Sequence, residues 1–334
     1  MTVILKLDAE HPHHDPIEQA ASIIRSGGLV AFPTETVYGL GADAMNERTL
    51  RRIFEAKDRP ADNPLIVHIC DRAMLDLVAE DVSAKSEALI AAFWPGPLTL
   101  VLKRRPEVPA LVSVGLATVA VRMPRSPIAL ELIRRAARPI AAPSANLSGR
   151  PSPTTAAHVA SDLEGRVDLI LDGGPTNIGI ESSVLDMTSE PPVILRPGWV
   201  TREQLMNTIG RVDLAETDEA LKRSPGTRHR HYSPSARVVL VDHASTESIE
   251  RLCKVFLQEG PVGFVGHTRV AIDNPRFRAI LLGNAADEYA RSIYSALREL
   301  DQWGANVIVV EGIGEEGEGA AVMDRLRRAA SEAG

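Results

Sequence analysis

Five short segments concentrate the side chains that can do chemistry: Pro33-Thr-Glu-Thr-Val-Tyr-Gly-Leu-Gly41, Lys57-Asp-Arg-Pro-Ala-Asp-Asn63, Arg122-Met-Pro-Arg125, Pro143-Ser-Ala-Asn-Leu-Ser-Gly149 and Gly179-Ile-Glu-Ser-Ser183. Together they offer fixed cations, hydroxyl donors and glycine amides, the equipment a nucleotide phosphate needs. The first four follow strands, and in open α/β sheets ligands sit beyond the carboxyl ends of strands. No Walker A run exists, and Gly39-Leu-Gly41 is only a fragment of the Gly-x-Gly-x-x-Gly expected after a first strand. Ordinary turns use the same glycines and prolines, so the motif chemistry leaves both readings open. Lys57 and Arg59 lie just past a helix end, where cations meet unpaired carbonyls. Flanking Asp58 and followed by Pro60, they also make a stiff loop suited to an anion. Ser144 and Asn146 suit side-chain turns. His68, mid-strand among Leu65, Ile66, Val67 and Ile69, reads by default as a core histidine.

Other chemistries fit poorly. His11, His13, His14 and Asp15 superficially resemble a metal cluster but precede a helix in a proline-broken, solvated stretch. Gly-x-Ser-x-Gly is absent, and neither Cys70 nor Cys253 lies beside a histidine. Two distant cysteines are too few for a disulfide framework or a cysteine metal site.

The elements that position these loops follow from periodicity. Asp15 is placed to cap a first helix, with Pro16 in its first turn, Glu18 completing a capping box and Gly27-Gly28 ending it. A strand over 29–32 then enters the polar loop 33–41. Further strands are predicted over 65–70, 98–103, 118–123, 139–142, 167–172, 183–187 and 193–195, with helices over 47–56, 71–79, 84–93, 127–137, 154–162 and 201–209. Residues 211–236 lose periodicity and read as a basic, proline-containing linker. A second alternation follows: strands 237–241, 261–265, 279–282 and 306–311, helices 246–258, 286–302 and 320–330. The expected organisation is a domain over 1–210, a linker over 211–236 and a smaller α/β domain over 237–334.

Composition narrows the class. A chain of 334 residues, 44% apolar and 24% charged, is an ordinary globular protein of about two domains. Its net charge of −7 weakens a nucleic-acid role, although a local basic groove is compatible with it. The start shows no signal peptide, and no apolar run reaches the ~18 residues of a membrane span, so a cytoplasmic protein is expected.

Seven ordered motifs then carry a resemblance. Pro33–Gly41, Lys57-Asp-Arg-Pro60, Asn63-Pro-Leu65, Trp94-Pro-Gly-Pro-Leu-Thr99, Val121-Arg-Met-Pro124, Ala142-Pro-Ser-Ala-Asn146 and Leu195-Arg-Pro-Gly198 resemble the YrdC family over about 1–210. The linker, with Ser224-Pro-Gly226 and His231-Tyr-Ser-Pro234, and the trailing unit resemble its longer, two-domain members. The resemblance implies a twisted open mixed sheet with helices, plus a smaller Rossmann-like α/β domain. It implies a nucleotidyltransferase that joins L-threonine, bicarbonate and ATP into L-threonylcarbamoyladenylate and pyrophosphate, the first step of the N6-threonylcarbamoyladenosine modification of tRNA. By the same matching, Lys57, Arg59, Ser144 and Asn146 surround the phosphates. Arg59, Asn63, Thr118, Ser144, Ser152, Arg196 and Tyr232 contact ATP, and Thr36, His68, Arg122, Ala142 and Ser182 hold threonine. Arg122 also has a physical reason, since a guanidinium fork suits a carboxylate. Magnesium accompanies ATP with no protein ligands assigned, and the product passes to the tRNA threonylcarbamoyl transferase. Tyr232 in the linker suggests that 224–234 closes over the crevice as a lid. Two alternatives stand beside this: a relative that transfers carbamoyl groups, and a module binding structured RNA. The latter would use Arg48, Arg51, Arg52, Lys57 and Arg59, and Lys103-Arg-Arg105, and allows a weak tRNA contact.

Overall fold

The computed structural model describes residues 1–215, 217, 232–242 and 244–330, so 224–231 of the expected lid lie outside the described residues. The chain divides into two compact units. One comprises 1–148, 153–177 and 181–228; the other comprises 149–152, 178–180 and 229–334.

The first unit is built on β1 (Val3–Lys6), β2 (Val30–Pro33), β3 (Tyr38–Asp43), β4 (Ile66–His68), β5 (Ala79–Glu80) and β6 (Leu98–Arg104). It continues with β7 (Thr118–Arg122), β8 (Ile140–Ala141), β9 (Leu169–Asp172), β10 (Ser183–Asp186), β11 (Val193–Arg196) and β12 (Asp213–Leu214). They form one sheet in the order β1-β9-β2-β3-β8-β4-β7-β6-β10-β11-β12, with β5 on β6. Pairing is mixed: β4 runs parallel to β7 and β6 to β10, while β6–β7 and β10–β11 are antiparallel. Helices α1 (His14–Arg25), α2 (Glu47–Ala56), α3 (Arg72–Val78), α4 (Ala84–Phe93), α5 (Pro127–Ala136), α6 (Ala156–Leu163) and α7 (Arg202–Ile209) complete it. This is the mixed α/β architecture the resemblance implies.

Local chemistry explains the element ends near the site. Asn46 caps α2 by accepting from the Arg48 amide; Leu50, Ile53 and Phe54 form its buried stripe, and Asp58 at φ 49° turns the chain out. Ser126 caps α5, with Pro127 at its first position and Ala137 in the left-handed region at its end.

Three expectations are corrected. The cap of α1 is His13 with no side-chain hydrogen bond; Asp15 lies inside the first turn, and Glu18 pairs with Arg25 at 2.6 Å, so no capping box forms. The polar loop 33–41 is instead a hairpin: Tyr38–Gly41 continue as β3, antiparallel to β2. The absence of polar alternation hid this strand. It is buried throughout, and a Cβ on Gly41 would meet Phe32 Cε1 at 2.7 Å. Finally, 213–214 of the expected linker form β12 on β11.

The second unit is a four-stranded parallel sheet in the order β13 (Arg237–Val241), β16 (Val307–Glu311), β14 (Val262–Gly266), β15 (Phe277–Leu281). Its helices are α8 (Thr246–Phe256), α9 (Ala286–Trp303) and α10 (Gly319–Ala330). β14 and β16 are buried along their whole length, as expected of central parallel strands.

Candidate active site

Alternation along adjacent strands of the first sheet builds one polar face. Side chains two apart share a face, so Thr118, Ala120 and Arg122 of β7 align through the register with Ile66 and His68 of β4 and with Thr99, Val101 and Lys103 of β6. Val184 of β10 continues the row opposite Thr99, and Arg196 of β11 lies opposite Val184. The middle of this face is apolar, where Ile66, Val101, Ala120, Val184 and Leu195 cluster. One end gathers buried polar groups.

Arg122, 3% exposed, is the centre of that end. Its Nε donates to the Gly96 carbonyl at 3.1 Å and its Nη1 to Thr36 Oγ1 at 2.9 Å. Its Nη2 lies 2.6 Å from Glu35 Oε1. The Thr34 hydroxyl pairs with Thr36 Oγ1 at 2.8 Å and donates to the Val37 carbonyl, which sets the turn. His68 closes the β4 strand rather than sitting mid-strand, and it is buried, with Nδ1 3.3 Å from the Ile66 carbonyl. Burial, and then the charge of Arg122, hold its pKa down to about 3, so the ring is neutral at physiological pH.

On the neighbouring strands, the Ser182 and Thr99 hydroxyls are 2.8 Å apart. Arg196 donates to the Ser182 carbonyl from Nε at 3.1 Å and from Nη2 at 3.0 Å, and from Nη2 to its hydroxyl at 3.2 Å. Gly198 lets this corner close: a Cβ there would stand 2.2 Å from the Ser183 amide nitrogen.

The Lys57 segment differs from its sequence reading. Lys57 lies at the C-terminal cap of α2, as expected, but is 1% exposed rather than presented in an open loop. Its Nζ donates to the carbonyls of Ser144 and Asn146, both at 2.5 Å. The Lys57 carbonyl in turn accepts from the Ser148 amide at 2.9 Å. Lys57 therefore clamps the 144–148 loop through its backbone. Arg59 donates to the carbonyls of Asn63 and Pro64, at 3.2 and 3.1 Å, and shapes its own loop. The 142–145 segment is stitched to the site strands, with the Ala142 amide on Ile66 and the Ala145 amide on Tyr38.

The structure thus brings Thr36 together with Arg122, Ser182 with Arg196, and Lys57 with Ser144 and Asn146, and sets His68 beside Arg122 across the strand pair. Thr118 stands at the other end of β7, roughly 13 Å along the strand from Arg122. Ser152 and Tyr232 belong to the second unit. There Tyr232 is buried at φ 67°, stacked on Tyr294 with centroids 5.6 Å apart, with the Arg325 guanidinium 5.5 Å from its ring centroid. Sequence reasoning missed Glu35 and Thr99 as members. Both lie inside quoted motifs, but nothing in their spacing says which hydroxyl or carboxylate meets the cation.

Also in the second unit, Gly312-x-Gly314-x-x-Gly317 runs from β16 into α10 with the spacing of a dinucleotide loop. Glu315, Glu316 and Glu318 crowd that helix entry with negative charge, which opposes a phosphate. The Glu311 carboxylate is taken by the amides of His267 and Thr268, each at 2.8 Å.

The family described as Telomere recombination, Sua5_yciO_yrdC, matches residues 22–198, and the one described as Threonylcarbamoyl-AMP synthase, C-terminal domain, matches 200–331. The threonylcarbamoyl-AMP synthase of Pyrococcus abyssi is 48% identical, over 98% of each chain. The chain belongs to the threonylcarbamoyl-AMP synthase family. The synthase of Bacillus subtilis is 46% identical over 95% of this chain and 94% of its own. Among solved structures, Pyrococcus abyssi Sua5 complexed with L-threonine superposes with a TM-score of 0.92 at 46% identity, covering 98% of both chains. The likeness to the synthase family therefore spans both units. Among the described residues, no helix is long and apolar enough to cross a membrane.

Proposed function

We propose that this protein condenses L-threonine, bicarbonate and ATP into threonylcarbamoyl-AMP and pyrophosphate, the first step of N6-threonylcarbamoyladenosine formation on tRNA. The observation that carries this reading is the end-to-end likeness to synthases in a chain whose sheet face buries Arg122, His68, Thr99, Ser182 and Arg196 together. Threonine and bicarbonate first give an N-carboxylate with loss of water. Its oxygen attacks the α-phosphorus of ATP, the bond to the bridging oxygen breaks, and pyrophosphate leaves. No enzyme nucleophile is needed, so the chain contributes positioning and charge.

Arg122 takes the threonine carboxylate, with Thr36, neutral His68, Ala142 and Ser182 around the rest of that substrate. The apolar floor formed by Ile66, Val101 and Ala120 suits a base, and a nucleotide lying along it would reach Thr118 with its far end. Arg59, Asn63, Ser144, Asn146 and Arg196 face the phosphates, with Lys57 fixing the loop that presents Ser144 and Asn146. Ser152 and Tyr232 belong to the same ATP assignment.

Among the described residues no group of three histidines, cysteines or acids could hold a metal ion. The polar groups described above are mainly hydroxyls, amides and cations, and the Glu35 carboxylate is tied to Arg122. That donor set does not fit a resident ion, so magnesium enters as part of the ATP substrate. Domains over 1–210 and 237–334, a cytoplasmic location and transfer of the product to the tRNA-modifying transferase belong to the same reading.

The deciding assay is pyrophosphate release from ATP with threonine and bicarbonate and no RNA. Release that requires all three small substrates is expected; release that also requires tRNA would overturn the reading.

A further inference from the structure

We propose that Glu35 is a positioning residue that holds the Arg122 guanidinium ready for the threonine carboxylate. The inference rests on the assignment of Arg122 to that carboxylate. Glu35 lies in the turn between β2 and β3, its side chain 6% exposed, with Oε1 2.6 Å from Arg122 Nη2. Neither of its carboxylate oxygens receives a well-aligned hydrogen bond. The pair is therefore an ion contact of charge on charge, sealed from water.

Two ordinary explanations for such a pair are weak. Buried ion pairs add little net stability, because desolvation offsets their attraction. On charge alone Glu35 is a disadvantage, since a carboxylate beside Arg122 lowers the positive potential that a substrate carboxylate meets. What Glu35 supplies is geometry. A guanidinium has five N–H donors. Here Nε donates to Gly96 and Nη1 to Thr36, and the ion contact with Glu35 holds Nη2 in place, all from two separate loops. Three anchors fix the plane of the fork before substrate arrives, so binding does not have to order a free arginine. His68 pairs with Arg122 across the strands and is neutral at physiological pH, so it adds no second positive charge there. Glu35 is thus the acid that makes a fixed, buried Arg122 tenable.

The two explanations separate by sign. A field effect predicts that E35Q binds threonine more tightly, and positioning predicts weaker binding. Threonine and ATP affinities of the full chain are measured separately by titration calorimetry for the wild type, E35Q and E35D. The expected result is threonine binding weakened about tenfold or more in E35Q, ATP binding unchanged, and partial recovery in E35D. Threonine affinity in E35Q that is unchanged or tighter would overturn the proposal, as would an equal loss for both ligands. If E35Q does not fold, E35D carries the test: a loss confined to threonine supports positioning, and no loss or a shared one defeats it. A wild-type protein that binds no threonine would defeat the reading of the site itself, whereas threonine binding indifferent to Glu35 defeats only this inference.

Discussion

Two sets of cations in this protein look alike in sequence and differ in what they hold. Lys57, Arg122 and Arg196 are buried and each donates to a backbone carbonyl of another segment, with Arg122 also meeting Thr36 and Glu35. Arg51, Arg72, Lys103 and Arg105 lie at the surface and face acids, Glu47, Asp76 and Glu87, Glu80 and Asp81, and Glu107 respectively. A carbonyl cannot be neutralised by salt or by a side-chain movement, so the first set fixes where loops stand. The second set exchanges freely with water and counter-ions, and such pairs contribute little. A basic cluster in sequence therefore says nothing about a binding surface until its partners are known.

The largest effect expected from this contrast is at Lys57. Lys57→Ala leaves the Ser144 and Asn146 carbonyls without their ammonium donor in a buried site and should cost about 2–3 kcal/mol of stability. The loop that presents Ser144 and Asn146 then loosens, and turnover falls with it. Arg59→Ala, half-buried in its own loop, should lower turnover while costing less stability than Lys57→Ala, about 1 kcal/mol. Urea denaturation and pyrophosphate release on both variants check this. Equal stability of the two variants would dissolve the distinction drawn for Lys57.

That distinction also shows what the sequence could carry. Periodicity placed α2 at 47–56, where an apolar stripe is buried, and α4 at 84–93; in both, a capping side chain marks the start. It failed for β3, where both faces are buried and glycines replace the alternating pattern. The site was legible as motifs, since proline, glycine and hydroxyl residues mark loops beside strands. Which atom each side chain meets was not legible. Lys57 and Ser144 are 87 positions apart, and Thr36 and Arg122 are 86 apart. Only the folded sheet, with the loops and helix ends it carries, brings them together, and its register is a property of the whole sheet. The same limit left Lys57 looking like an anion-binding loop cation and His68, from its strand alone, like a core histidine, when the first is interior and the second is both buried and beside Arg122.

A smaller effect should appear at His68 and depend on pH. Its folded pKa is depressed to about 3, while the unfolded chain titrates near the ordinary value of 6.5. Between these values the unfolded state binds the extra proton, so stability is fully present above pH 6.5 and is lost as pH falls. The slope is about 1.4 kcal/mol per pH unit inside that window. His68→Asn removes the titrating group, so the variant should lose less stability than the wild type between pH 6.5 and 4.5. Parallel stability profiles for the two proteins would mean that the ring is not held neutral. In the wild type, no limb of the turnover profile near neutral pH should arise from His68.

The smallest effect is expected at Lys103, and it bears on the RNA-binding alternative. Lys103 sits 3.0 Å from Glu80 and 2.8 Å from Asp81 at a strand end, more than half exposed, and those two acids raise its pKa. Its neighbour Arg104 instead donates to the carbonyls of Leu116, Arg105 and Val108. Arg105 meets Glu107 at 3.3 Å. An RNA phosphate approaching this cluster would have to displace three acids and could not recruit Arg104 without breaking its carbonyl contacts. A Lys103→Ala/Arg105→Ala variant should therefore keep the wild-type unfolding midpoint and the wild-type rate of pyrophosphate release, at low salt as well as high. Retention of unmodified tRNA on a filter, compared at the two salt concentrations, tests the other side. A phosphate-binding patch would show wild-type retention that falls steeply with salt and a flatter dependence in the variant. Identical curves for the two proteins would mean that these cations, like the rest of the surface set, serve only their neighbouring acids.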